Sequence, residues 1–176
     1  MLLLLACTSN SPDSSIDSEA VDGEPIVEDS SPPKVAAELV VNEFMASNGG
    51  SLTLDDASTP DWIELHNAGE EATDLEGWFL SDDSEDPYQV RINESLVLEP
   101  GGFALFYADG VEGSMHLPFQ LASEGEELVL SNPQGVRRDW IAYEPQLEDV
   151  AAARSPDGGE DWVFVPDGTP GQTNND

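Results

Sequence analysis

The densest chemical signal in the chain is Asp82-Asp83-Ser84-Glu85-Asp86, four carboxylates within five residues. Hard cations prefer several oxygen ligands, and alternating positions 82, 84 and 86 resemble the start of a calcium loop. Asp82, Asp83 and Asp86 are therefore the candidate metal ligands. Pro87 stands where an EF-hand needs glycine, and no helical pattern flanks the segment. Asp157-Gly158-Gly159-Glu160-Asp161 and Asp55-Asp56 are similar acidic stretches. The competing reading is solvated turn chemistry, since Asp favours turns. Calcium is the one cofactor the sequence offers, and nothing in it demands one.

Catalysis needs a nucleophile with a base, a metal centre, or a carboxylate pair in a cleft. Only two histidines are present, His66 and His116. There is no Gly-x-Ser-x-Gly elbow, no His-Glu-x-x-His and no phosphate loop. Ser114-Met115-His116-Leu117 reads as loop, with His116 structural. Carboxylates are so abundant that a pair at glycosidase spacing carries no information. The reading is a protein that is not an enzyme. The four tryptophans fit either a binding groove or a core, and tryptophan in an all-β domain is usually core. Trp62 lies on the strand face opposite Ile63 and Leu65, so one of those faces is a candidate exposed surface.

Thirty-seven acidic residues against five basic ones give a formal net charge of -32. Nucleic acid is excluded as a generic partner, because phosphates are bound by lysine and arginine. An anionic membrane surface is disfavoured for the same reason. Cationic partners or hard metal ions are favoured, although a saline habitat produces the same bias without any partner. The single cysteine, Cys7, permits no disulfide within one chain and no thiolate metal site. No apolar run is long enough for a spanning helix.

Leu4-Leu5-Ala6-Cys7 resembles a bacterial lipobox. A small residue precedes the cut, and the following thiol accepts diacylglycerol, so Cys7 is the expected lipidation site. Several acyl chains together anchor stably where one does not. Residues 1–7 lack a basic n-region and a full apolar h-region. Either translation begins upstream of Met1 or the segment is an apolar stub. The absence of Asp at Thr8 favours the outer membrane or cell surface, with a secreted or periplasmic protein as the alternative. Membrane contact is expected only through Cys7. Residues 8–37 are rich in Ser, Pro, Asp and Glu and have no aromatic residue. Such a segment cannot offset its ordering entropy and reads as a disordered acidic tether, or as a low-complexity tail.

Residues 38–174 contain every aromatic residue. Leu39 to Met45, Asp61 to His66, Trp78 to Leu80, Gln89 to Ile92, Phe103 to Tyr107, Glu127 to Leu130, Val136 to Ala142 and Asp161 to Val165 read as strands. Phe103 to Tyr107 is apolar on both faces and so central. Asn132-Pro133-Gln134-Gly135 reads as a turn. No amphipathic helix of useful length is found, and Ala151-Ala152-Ala153 supports a single helical turn at most. Short strands at regular spacing predict an all-β sandwich, with a barrel as the alternative.

The order of motifs resembles the lamin-tail domain family. Val40-Val41-Asn42-Glu43-Phe44-Met45-Ala46 is similar to its opening strand. Asp61-Trp62-Ile63-Glu64-Leu65-His66-Asn67 matches its most specific motif. Asp74-Leu75-Glu76-Gly77-Trp78-Phe79-Leu80-Ser81-Asp82-Asp83 and Leu98-Glu99-Pro100-Gly101-Gly102 resemble the next strand and turn. Leu117-Pro118-Phe119-Gln120-Leu121, then Gly125-Glu126, lead through a hairpin. Ala153-Arg154-Ser155-Pro156-Asp157-Gly158 and Gly168-Thr169-Pro170-Gly171-Gln172-Thr173-Asn174 close the series. Motif residues are Asn42, Glu43, Asp61, Trp62, Glu64, Asn67, Gly77, Trp78, Pro170 and Gly171. His66 departs from the family's usual aromatic and reads as a filler of that position. The resemblance implies an immunoglobulin-like sandwich that acts as a non-catalytic interaction or adhesion module. Its partner would be a protein or a surface glycan. The alternative is calcium-dependent carbohydrate or protein binding. Nucleic-acid binding, known for animal members, is not expected at this charge.

Overall fold

The computed structural model describes residues 39–174. Cys7, the lipobox and the acidic segment of residues 8–37 lie outside the described residues.

Twelve strands occupy the described residues: β1 (Leu39–Met45), β2 (Asp61–Asn67), β3 (Thr73–Asp74), β4 (Phe79–Ser81), β5 (Val90–Arg91), β6 (Val97–Leu98), β7 (Phe103–Ala108), β8 (His116–Leu117), β9 (Glu127–Ser131), β10 (Arg137–Ala142), β11 (Val150–Arg154) and β12 (Trp162–Pro166). They form a six-stranded sheet in the order β12-β11-β1-β2-β7-β8, a four-stranded sheet β10-β9-β4-β5, and the pair β3-β6. Only β7 and β8 pair in parallel. The two large sheets share one hydrophobic core. Val41, Phe44, Ile63, Leu65 and Phe106 from the first meet Leu80, Leu128 and Leu130 from the second. This all-β arrangement is consistent with the expected sandwich.

Period-two burial is clearest in β7, where Ala104, Phe106 and Ala108 are buried while Phe103, Leu105 and Tyr107 are half-buried. That strand is next to last in its sheet, with only the two-residue β8 beyond it. The Asn132–Gly135 turn forms as read: Gly135 N–H donates to Asn132 C=O at 2.9 Å, and Gly135 takes φ 74°. Strands β3, β6 and β8 are two-residue bridges that no periodicity could announce.

Two expectations are corrected. Ala151-Ala152-Ala153 is not a helical turn but the middle of β11, held between β1 and β12. Alanine is an intrinsic helix former, and here it is overridden because its small side chain fits a crowded position. Ala152 lies between Phe44 and Phe164 in register. Trp62 is fully buried, so neither face of β2 is an exposed platform. Its ring packs in a second cluster with Met45 and Ala151, flanked by Leu52, Leu105 and Tyr107.

Two segments cover that outer cluster. The first follows β1 and folds around Asn48. Its side-chain amide donates to Leu52 and Pro60 C=O at 2.7 Å each, and its N–H donates to Asp61 Oδ1 at 2.9 Å. Asp149 Oδ1 accepts the N–H groups of Gly49, Gly50 and Ser51 at 2.9, 3.0 and 3.1 Å. Those bonds hold its carboxyl below the ordinary range. The second cover is the C-terminal turn at Gly168, whose φ is 67°. A Cβ there would lie 2.9 Å from the Trp62 ring.

Candidate binding groove and the polar cluster behind it

Motif residues far apart in sequence converge on one buried polar cluster. β1 and β2 place Glu43 directly opposite Glu64, with Asn42 bulged beside them where the register shifts between Val41 and Glu43. All three side chains are buried. Asn42 Nδ2 donates to Asp157 Oδ1 at 2.9 Å and to Glu64 Oε1 at 3.3 Å, while Asn42 Oδ1 accepts Gly158 N–H at 2.9 Å. Glu64 Oε2 accepts Gly171 N–H at 2.5 Å. Glu43 Oε1 accepts Thr169 N–H at 2.8 Å. Pro170 sits between those two anchored residues. The two glutamates thus clasp the C-terminal turn onto the sheet.

Like charges directly opposite across a ladder repel, and burial disfavours the ionised form. Burial pushes the Glu64 carboxyl up to about 7, helped by the nearby charges of Glu43 and Asp157. Burial raises Glu43 as well. Hydrogen counting agrees. Asn174 Nδ2 faces two carbonyls, Arg154 at 2.8 Å and Asn42 at 3.5 Å, so its Oδ1 must accept from Thr169 Oγ1 at 2.7 Å. Thr169 has one hydroxyl proton, yet its oxygen also lies 3.0 Å from Glu43 Oε2. With that proton directed to Asn174, the Thr169 and Glu43 oxygens share a hydrogen only when Glu43 is protonated, the direction in which burial moves it.

The bulge at Asn42 is closed from the other side by an ion pair joining the two large sheets. Arg154 of β11 meets Asp139 of β10 in a two-pronged contact, 3.1 and 3.0 Å. Asp139 Oδ2 accepts Val41 N–H at 2.9 Å, and Arg154 Nε donates to Val41 C=O at 2.8 Å. The guanidinium stacks 4.7 Å over the Trp162 ring.

Beside this pair lies the groove. β10 and β12 are the terminal strands of their sheets, and between them opens a space of about 500 Å³. Phe44, Tyr143, Trp162, Phe164 and Ile141 line it, with Trp140, Glu144, Gln146 and Glu160 also on its walls. Phe164 shares the inward face of β12 with Trp162, yet it is 70% exposed because no strand stands opposite. Trp140 is 48% exposed, and its indole N–H donates to Glu127 Oε1 at 3.2 Å. Tyr143 donates to Glu126 Oε1 at 2.8 Å, and burial together with that contact raises its phenol above the ordinary range. The tryptophans therefore divide. Trp62 and Trp78 are core, whereas Trp140 and Trp162 belong to the groove.

The remaining sequence candidates are placed as follows. Asp61 caps the Asn48 loop and is raised by burial. Asn67 closes the β2 end, donating to Glu71 and Leu98 C=O at 2.8 and 2.9 Å. Gly77, at φ 86°, turns the chain into Trp78. His66 is buried and stacks on Phe103 at 4.6 Å, with burial lowering its pKa. Asp82, Asp83 and Asp86 do not converge. Asp83 Oδ1 accepts Glu85 N–H at 2.8 Å in a tight turn, and Asp82 is raised by burial. Among the described residues no group of three His, Cys, Asp or Glu side chains could hold a metal ion.

His116 Nδ1 lies 2.6 Å from Asp109 Oδ2, the geometry of an oriented base. The nearby Ser114 hydroxyl is turned to Glu94 rather than to His116, so no nucleophile–base pair forms. What the fold defines is an all-β module with an aromatic-lined groove where two sheets end. Residues 32–145 match the family model of the Lamin Tail Domain, more than half of the chain. The chain belongs to that family, whose domains are non-catalytic modules. No curated protein matches it in sequence. The matched region ends before β11 and β12, so the groove's second wall and the glutamate-clasped turn lie beyond it.

Proposed function

We propose that this protein is a non-catalytic interaction module of the cell surface, an immunoglobulin-like sandwich that binds a macromolecule through the groove between β10 and β12. The observation that carries the reading is Phe164. A large apolar side chain on the inward face of an edge strand, open to solvent and continuous with Trp140, Trp162 and Tyr143, is a costly arrangement for a surface with no partner. Aromatic anchors flanked by polar groups are the usual anatomy of a binding site. A protein or a surface glycan fits that chemistry.

In this reading Cys7 carries the lipid that holds the protein at the outer membrane or cell surface. Residues 8–37 act as an acidic spacer, because like charges repel along a segment of low hydrophobicity that has no aromatic residue. The net charge of -32 keeps the module from anionic polymers and lipid faces.

Two measurements test the proposal. Beads coated with the full chain should bind intact cell envelopes, and the double variant Trp140→Ala/Phe164→Ala should lose most of that binding while keeping its melting temperature. Equal retention by both proteins would remove the groove from the function. Metabolic labelling with an alkyne fatty acid in the native cell should mark the protein, and Cys7→Ala should abolish the mark. A label that survives Cys7→Ala would refute the anchor.

A further inference from the structure

The open edge of β12 has a phase that can be read from its neighbours. Ser155 N–H donates to Asp161 C=O, and Asp167 N–H donates to Asp149 C=O. In an antiparallel ladder the paired groups alternate along the strand. Val163 and Val165 therefore turn their N–H and C=O toward β11, opposite Ala153 and Ala151. Trp162 and Phe164 turn theirs outward, where the sheet ends. Pro166 follows with no N–H and limits the free edge to those two residues. The same two residues thus supply the outward backbone groups and the aromatic rings of the groove.

Apart from the paired Arg154, the charge lining that edge is acidic. Glu144 and Glu160 line the groove, Asp161 precedes β12, and Glu127 holds the Trp140 indole. Arg154, the one basic residue lining the groove, is already paired with Asp139.

We propose that β12 accepts an extended, lysine- or arginine-rich segment of a partner protein as an added strand. Its backbone pairs with Trp162 and Phe164, and its cationic side chains lie over the groove aromatics and against Glu144 and Glu160. This rests on the groove being the binding site and adds the partner's chemistry. Strand addition supplies affinity through main-chain hydrogen bonds and specificity through alternate side chains. A cation over Trp or Phe gains from the ring face, more so when partly desolvated. A second copy of this chain is disfavoured, because two molecules of charge -32 repel at contact.

The test uses the full chain and three probes: a short synthetic peptide alternating lysine and valine, its glutamate–valine counterpart, and a neutral chitin oligosaccharide. The lysine peptide is expected to bind, to weaken steeply with added salt, and to slow hydrogen exchange at the Trp162 and Phe164 amides. Phe164→Pro, which removes both ring and outward N–H, should weaken it by about ten-fold or more, since hot-spot aromatics dominate such sites. Phe164→Tyr should restore most of the affinity. The exchange measurement on the unaltered protein decides the matter even if the proline variant misfolds. Equal binding of the glutamate peptide, or lysine-peptide binding without protection at those two amides, would overturn the proposal. The chitin oligosaccharide binding in the groove where the lysine peptide does not would overturn it too, while leaving the groove as the binding site. Failure of the envelope-binding experiment above is a separate result that strikes the groove itself.

Discussion

Glu43 and Glu64 are the residues at which chemistry and fold are most tightly linked. Strand pairing puts them face to face, burial removes the water that would stabilise two charges, and both carboxyls are shifted toward holding a proton. The consequence for stability has a definite sign. Glu64 holds its proton more tightly folded, with the pKa moved from 4.5 to about 7, than unfolded. Its stabilisation is complete below pH 4.5 and is lost as pH rises through about 7. That loss amounts to about 3 kcal/mol at most. Glu64→Gln should flatten the decline, so that thermal melts of variant and parent diverge as pH rises from 4.5 to 8. Parallel curves would place the titration elsewhere. Arg154 and Asp139 make the opposite kind of pair, charged and matched. Asp139→Ala leaves a mostly buried guanidinium beside an unpaired Val41 N–H. We expect it to cost about 3 kcal/mol in urea unfolding, several times more than removal of an exposed, unpaired surface carboxylate would.

At the scale of elements, the edge strands and the C-terminal turn behave differently. Trp140→Ala and Phe164→Ala remove side chains that are about half or more exposed, so each should change stability by less than about 1 kcal/mol while depleting binding. A large loss of stability would show that Phe164 is a core residue and not a binding one. Gly168→Ala should be destabilising by about 1–3 kcal/mol. The position has φ 67°, and the added methyl meets the Trp62 ring at 2.9 Å and Glu43 Oε1 at 3.1 Å. An unchanged melting temperature would mean that the turn is only loosely seated. The motif glycines and glutamates were legible as conserved-looking chemistry only through their resemblance to a family. Nothing in the local pattern says that Gly171 and Glu64 touch, because they lie 107 positions apart.

For the whole molecule, the charge of -32 acts on stability as well as on partner choice. Self-repulsion opposes the compact state and is screened by salt. Adding sodium chloride from low millimolar to physiological strength at pH 8 should raise the melting temperature, and lowering the pH toward 5 should do the same. A melting temperature that falls with salt would mean that attractive pairs outweigh repulsion. The anchoring reading also lives at this scale. It depends on Cys7 and the acidic segment, which lie outside the described residues.

The amino-acid sequence determined what depends on composition and on local period. Short strands bounded by turn residues implied an all-β domain, the acid excess argued against nucleic acid as a partner, and the scarcity of histidine with no catalytic motif argued against an enzyme. Strand β2 and the Asn132–Gly135 turn were readable to within a residue, because alternation and turn chemistry are local. Tertiary structure alone decided the rest. It made a strand of Ala151–Ala153, since packing between Phe44 and Phe164 outweighs alanine's helix preference. It buried Trp62 by folding the preceding Asn48 loop and the distant C-terminal turn over it, and it left the Asp82–Asp86 carboxylates as a turn. It also opened a groove at Phe164. Whether an apolar residue is core or surface depends on what stands opposite, and where a sheet ends is a property of the assembled fold that no single strand encodes.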